Sequence, residues 1–217
     1  MLKELKSLIT ALIGAAPALV KIYEQKRQDK KLVELMESAF LLRDLINTAE
    51  ELLELVNSGK VITVEKLEIE YAFIQASLNI QLQRLKRIGD IFKESPTIDL
   101  LDPRIKKRIN TALGTKGEGL FKIGSAIFFN QIFGNARKEG ESDADARTRI
   151  LHEKMEFVSC ILNGDKYGYE RQRALIEILK ELQERYLHAL NNVLTSKSKL
   201  ILASEAEKLA SEYGVRK

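Results

Sequence analysis

Two histidines, one cysteine and a single glycine-rich run are what this 217-residue sequence offers to catalysis or to a metal. A di-iron centre built into a helical bundle needs Glu-x-x-His on two helices. The residues three before His152 and His188 are instead Arg149 and Arg185. His152-Glu153 is followed by Glu156 where a zinc-protease helix has its second histidine, so no metal site is expected. Cys160 stands two helical turns beyond His152, too far for a nucleophile and its base, and both read as structural. The run Gly114-Thr115-Lys116-Gly117-Glu118-Gly119 lacks the Gly-Lys-Ser/Thr ending of a phosphate loop. It follows an expected helix, so residues 114–119 read as a hinge, and no cofactor is expected. What remains is Arg147 and His152, an arginine able to stabilise a phosphate beside a histidine able to move a proton near neutral pH.

The stretch Arg147-Thr148-Arg149-Ile150-Leu151-His152 resembles the Arg-x4-His motif of the HEPN ribonucleases, helical-bundle proteins that pair two such motifs across a dimer. The resemblance covers six residues and the fold class. It implies a metal-independent ribonuclease in which Arg147 holds the scissile phosphate and His152 assists proton transfer. Thr148 stands where the family often places a polar residue after its arginine. The other reading of these residues is an amphipathic helix with exposed arginines and a partly buried histidine.

Charge is unevenly distributed although the formal net is only +4. Residues 84–122 hold ten Lys or Arg against five acids, and residues 139–185 hold eleven acids against eight bases. Arg104, Lys106, Lys107 and Arg108 concentrate the positive side and are candidates for contact with an anion or an anionic lipid surface. Internal complementarity between the two halves, or a solvated helix face, accounts for the same pattern. No aromatic-interleaved basic motif accompanies it, so nucleic acid is a weaker candidate partner.

These residues must be positioned by helices. Only three prolines, no tryptophan and much Leu, Ile, Ala, Glu, Lys and Gln favour the helical state. In residues 31–57 the apolar series Leu32, Leu35, Ala39, Leu42, Ile46, Ala49, Leu53, Val56 alternates steps of three and four, which lays every member along one seam. A third helix, from Thr63 to about Glu94, has the seam Val64, Leu67, Tyr71, Ile74, Leu78, Gln81, Leu85, Ile88, Phe92. Its one polar member, Gln81, is either a buried register-setting residue or, as the ordinary reading, one at the solvent edge.

The first helix is expected over residues 2 to about 29, with the seam Leu2, Leu5, Ile9, Leu12, Ala16, Leu19, Tyr23 and a kink or restart near Pro17. Ala16-Pro17-Ala18 imitates a signal-peptide cleavage site, but the seam runs straight through it, as in a retained helix. The small residues Ala11, Gly14, Ala15 and Ala18 on its second face are expected to admit another helix closely. Asp102-Pro103 opens a short helix closing at Gly114, and Ser142-Asp143-Ala144-Asp145 resembles a capping box for a helix reaching Asn163-Gly164. A sixth helix starts after Asp165 with the seam Leu175, Leu179, Leu182, Tyr186, Ala189, Val193. Residues 195–198 interrupt it before Leu202, Ala206, Leu209 and Tyr213.

Two apolar stretches suit either a central core helix, the reading preferred, or insertion at a membrane interface: the first helix, with Leu5, Ile9 and Leu12, and the segment holding Phe121, Phe128, Phe129 and Phe133. No apolar run approaches the roughly 18 to 20 residues of a spanning helix, so no conventional transmembrane segment is expected. A lone cysteine excludes an intramolecular disulfide and favours the cytoplasm, with attachment to the membrane surface as a variant. The expectation is a single all-α domain over residues 1–217, a mostly antiparallel bundle of five to seven helices with coiled-coil-like seams. Its function is expected to be non-enzymatic interaction, docking a protein partner or a second copy through an apolar helix face. A membrane-active effector and the ribonuclease are the alternatives.

Overall fold

The computed structural model describes residues 2–58, 64–93, 104–111, 114, 140–142, 144–146, 148–149, 169–194 and 196–213. Among them the structure is an all-α bundle without a strand. Its helices are α1 (Leu2–Gln25), α2 (Asp29–Ser58), α3 (Val64–Lys93), α4 (Tyr169–Val193) and α5 (Ser196–Glu212). Residues 104–111 are helical as well. One continuous buried cluster draws side chains from all five helices and from Ile105 and Ile109.

The core is organised around α2, which packs on α1, α3, α4 and α5. Seven of its seam residues, Leu32, Leu35, Ala39, Leu42, Ile46, Ala49 and Leu53, are buried. The side chain of Val56 lies outside the described residues. Burial is not confined to that seam, for every residue from 32 to 42 is buried. A helix enclosed on all sides must satisfy the polar groups it carries inward. Glu37, fully buried, receives Arg87 of α3 in a two-pronged pair, Nε to Oε1 at 2.8 Å and Nη2 to Oε2 at 2.7 Å. Ser38 donates to the Leu35 carbonyl at 2.6 Å and so accepts from the Tyr186 hydroxyl at 2.9 Å, since a serine has one proton to give. Glu50 meets Lys180, Ala39 meets Gln183 and Ser38 meets Tyr186, so numbers rise along α2 as they fall along α4.

Gln81 is buried, not at the solvent edge, and donates to the Leu45 carbonyl at 3.2 Å. The buried stripe of α4 is also displaced from the expected series: Ile176, Leu179, Gln183, Tyr186 and Leu190 face the core, while Leu175, Leu182, Ala189 and Val193 flank it half-buried. Gln183 occupies the centre because its amide donates to the Ala39 carbonyl at 3.1 Å, which apolar spacing alone does not register. In α1 the helix runs unbroken through Pro17, whose ring lies on the exposed face. Gly14 is exposed with open space around it, so it does not admit a close neighbour as expected. The stripe Leu5, Ile9, Leu12, Ala16, Leu19 and Tyr23 is buried, and α1 packs chiefly against α4.

Candidate functional site

The turn joining α1 to α2 shapes one wall of a large open cleft. Gln28 N–H bonds the Tyr23 carbonyl at 2.9 Å and Arg27 N–H bonds the Glu24 carbonyl at 3.0 Å, the paired bonds of a Schellman cap. Such a cap places its penultimate residue in the left-handed region, ordinarily a glycine, and Arg27 sits there at φ 51°. The Gln28 carbonyl then accepts from Leu32 N–H at 3.2 Å and starts α2. The chain thus reverses within a few residues and turns Arg27, Asp29 and Lys30 toward the cleft.

The cleft encloses about 1180 Å³. Its floor is apolar, from Leu32 and Val33 of α2 and Leu202 and Leu209 of α5, with Ile201 beside them 66% exposed. Its rim carries both signs: Glu24, Asp29, Glu34 and Glu205 against Arg27, Lys30 and Arg87. Arg87 is fixed there from beneath by Glu37, and Glu34 is held by Lys31 at 2.8 Å. The geometry offers an apolar floor for side chains and a charged border for orientation. Among the described residues no three His, Cys, Asp or Glu side chains gather to hold a metal.

No known family, curated protein or solved structure matches this chain.

Several of the residues singled out in the sequence fall elsewhere. Leu5, Ile9 and Leu12 are core residues at 1%, 0% and 0% exposure. Nevertheless Leu5–Gln25 is long and apolar enough to cross a membrane by length and composition, contrary to expectation. The charge-free run 7–20 is itself short, but Lys6 and Lys21 lie near the ends of the segment and leave its mean hydropathy high. Arg104 and Lys107 are exposed, and Lys106 and Arg108 are half-buried. Arg108 donates to the Ser7 carbonyl at 3.0 Å and so ties residues 104–111 to the start of α1.

Ser142 accepts the Asp145 N–H at 3.2 Å and its hydroxyl donates to the Asp145 carboxylate at 2.6 Å, which is a helix cap of the expected kind. Arg149 forks onto Glu141 with bonds of 2.9 and 3.0 Å. Arg147 and His152, with Cys160 and Phe121, Phe128, Phe129 and Phe133, lie outside the described residues. So does the expected hinge apart from Gly114, which is helical. His188 is exposed and accepts from Asn192 within α4 at 3.0 Å.

Arg27, Ile201 and the Glu37–Arg87 pair had no part in the sequence reading. Glu37 and Arg87 are 50 positions apart, beyond any local pattern. Ile201 carried a signal, since in Leu200-Ile201-Leu202 the seam takes Leu202 and must leave its neighbour off the buried stripe.

Proposed function

We propose that this chain is a non-enzymatic helical interaction protein, a subunit of an assembly in which the cleft between the α1–α2 turn and α5 is the docking face. The observation that carries the reading is the coexistence of an apolar floor and a protruding Ile201 on one patch. A large aliphatic side chain left in water beside an apolar concavity gains a few kcal/mol when a second surface covers it. Helix-in-groove recognition needs such a floor together with polar borders that set orientation.

A second copy of the chain is the occupant that the charges favour. A two-fold interface uses the same patch twice and must therefore be self-complementary. Among the described residues the border holds four acids and three bases and so meets that condition, whereas a partner of one sign would meet repulsion on part of it. Burial of the α1 stripe in the core speaks for this reading over a membrane-active effector, because insertion would have to open the bundle first.

Measured mass across a concentration series tests the proposal. Wild type is expected to form a defined dimer that weakens on Ile201→Glu, with helicity unchanged because Ile201 is exposed. A wild-type chain that stays monomeric at all concentrations overturns it, as does a dimer indifferent to Ile201→Glu.

A further inference from the structure

No glycine or proline stands between Tyr169 and Tyr213, although two helices share that stretch. α4 ends at Val193 and α5 begins at Ser196, so the chain turns there without a residue that forbids helix. Leu194 follows α4 where many helices place a glycine. Thr195 and Ser196 suit the start of a helix yet are tolerated inside one. Straightened at residues 194–196, α4 and α5 make one rod about 65 Å long.

α5 packs chiefly on α2, with Leu202, Ala206 and Ala210 buried at 7%, 0% and 1% and Glu207 paired with Arg43. A second copy of the chain presents the same seat on its own α2, and the helix that fits it is the one this seat already holds. Ile201, by contrast, is 66% exposed while the chain is folded back. Counted along a continuous helix, it falls within about 20° of Leu190 and Leu194. Those two, at 1% and 5% exposure, end the buried stripe of α4. The straight helix therefore gives Ile201 a place on an apolar stripe that the bent one denies it.

We infer that α5 is exchanged between two copies: the junction at 194–196 straightens, and the α5 of each chain seats on the α2 of the other. The inference rests on the dimer proposed above and says how it is built. Each docking cleft then takes Leu32 and Val33 from one chain and Ile201, Leu202 and Leu209 from the second. A reciprocal exchange restores every α2–α5 contact that opening breaks, which makes it a low-cost route to a closed dimer. The two straightened segments cross between the bodies, and covering Ile201 in that crossing helps to offset the freedom lost on association. The stripe of α4 through Leu194 stays seated in both forms, so opening disturbs only α5.

Crosslinking between two differently marked chains tests the exchange. In a Cys160→Ser background, Arg43→Cys and Glu207→Cys chains are refolded together and treated with a short bis-maleimide, because these side chains meet across the α2–α5 contact at 3.0 Å. A crosslinked dimer that forms only when both variants are present is expected. A mixture that is dimeric by mass yet gives no such product overturns the exchange and leaves the cleft dimer standing, whereas a monomer at all concentrations overturns both.

Ser196→Pro supplies an independent measurement. Proline is accepted at the first position of a helix, where Ser196 stands in α5, but not in the interior where straightening would put it. The variant is expected to raise the dimer dissociation constant about a hundredfold or more, since both junctions of the dimer carry the proline. A single chain with Ser196→Pro, Arg43→Cys and Glu207→Cys is expected to crosslink within itself, which shows α5 still seated on its own α2. A dimer that Ser196→Pro leaves at full strength overturns the inference.

Discussion

Arg84 and Arg87 stand one turn apart on α3 and face α2, yet their environments make opposite demands. Arg87 completes a buried carboxylate, so Arg87→Met leaves Glu37 charged at 0% exposure with nothing to neutralise it. A loss of about 3 kcal/mol is expected, read as a lower urea midpoint at unchanged slope. Replacing both partners, Glu37→Leu with Arg87→Met, is expected to recover most of it, because no buried charge then remains. Arg84 has no such partner: its Nη1 donates to the Asp44 carbonyl at 3.0 Å and the Thr48 hydroxyl at 2.8 Å, and its Nε is buried without an acceptor. Burial accordingly lowers its pKa from the ordinary arginine value, against the opposing pull of Asp44 and Glu51. Arg84→Met is therefore expected to leave stability within about 1 kcal/mol of wild type or raise it. A loss as large as that of Arg87→Met would refute this account of the α2–α3 contact.

Tyr186 gives the residue scale a pH signature. Burial raises its phenol pKa well above the usual tyrosine value. The folded state thus holds the proton to higher pH than the unfolded state does. This contribution is complete below about pH 10 and declines as pH rises through the window between unfolded and folded values. Tyr186→Phe should abolish that decline while costing about 1 kcal/mol at neutral pH, as titration of the urea midpoint from pH 8 upward would reveal.

At the scale of elements, the cap between α1 and α2 is built against the grain of its residue. Arg27 holds a left-handed conformation that a Cβ disfavours by roughly 1 kcal/mol. Arg27→Gly is expected to raise the thermal midpoint by a few degrees, since the two cap bonds are made by backbone and persist. Helix existence and register were readable here because three-four alternation survives in α1, α2 and α3, and the break before α5 showed in the shifted phase of Leu202 and Ala206. The centrality of α2 was not readable. Its second buried face includes Glu34, Glu37 and Ser38, which are polar in sequence and acceptable inside only through Lys31, Arg87 and Tyr186. Gln183 escaped, and Gln81 was given the solvent edge as its ordinary place, for the same reason: each is satisfied by a spare lone pair on an α2 carbonyl of a distant segment. Apolar periodicity finds the surfaces that avoid water but not the polar groups that distant partners make tolerable.

For the molecule as a whole, α2 is the element that four others need. Its amides in the buried stretch 35–42, beyond the cleft, can reach solvent only if neighbours on several sides depart together, so they are expected to exchange with deuterium only through global unfolding. By contrast α5 packs chiefly on α2, with Leu202, Ala206 and Ala210 buried and the exposed Arg43–Glu207 pair, 3.0 Å apart, bridging the two helices. Such an exposed pair is worth little, about 0.2–1 kcal/mol, and the helix lies at the edge of the core. It is therefore expected to open on its own and exchange well before α2. Because Ile201, Leu202 and Leu209 also form one side of the docking cleft, self-association should close α5 down. Its exchange should slow as protein concentration rises, Ile201→Glu should remove that dependence, and α2 should be indifferent to both. Uniform exchange in α2 and α5 would deny the central role of α2, and concentration-independent exchange in α5 would deny that this face meets a second copy.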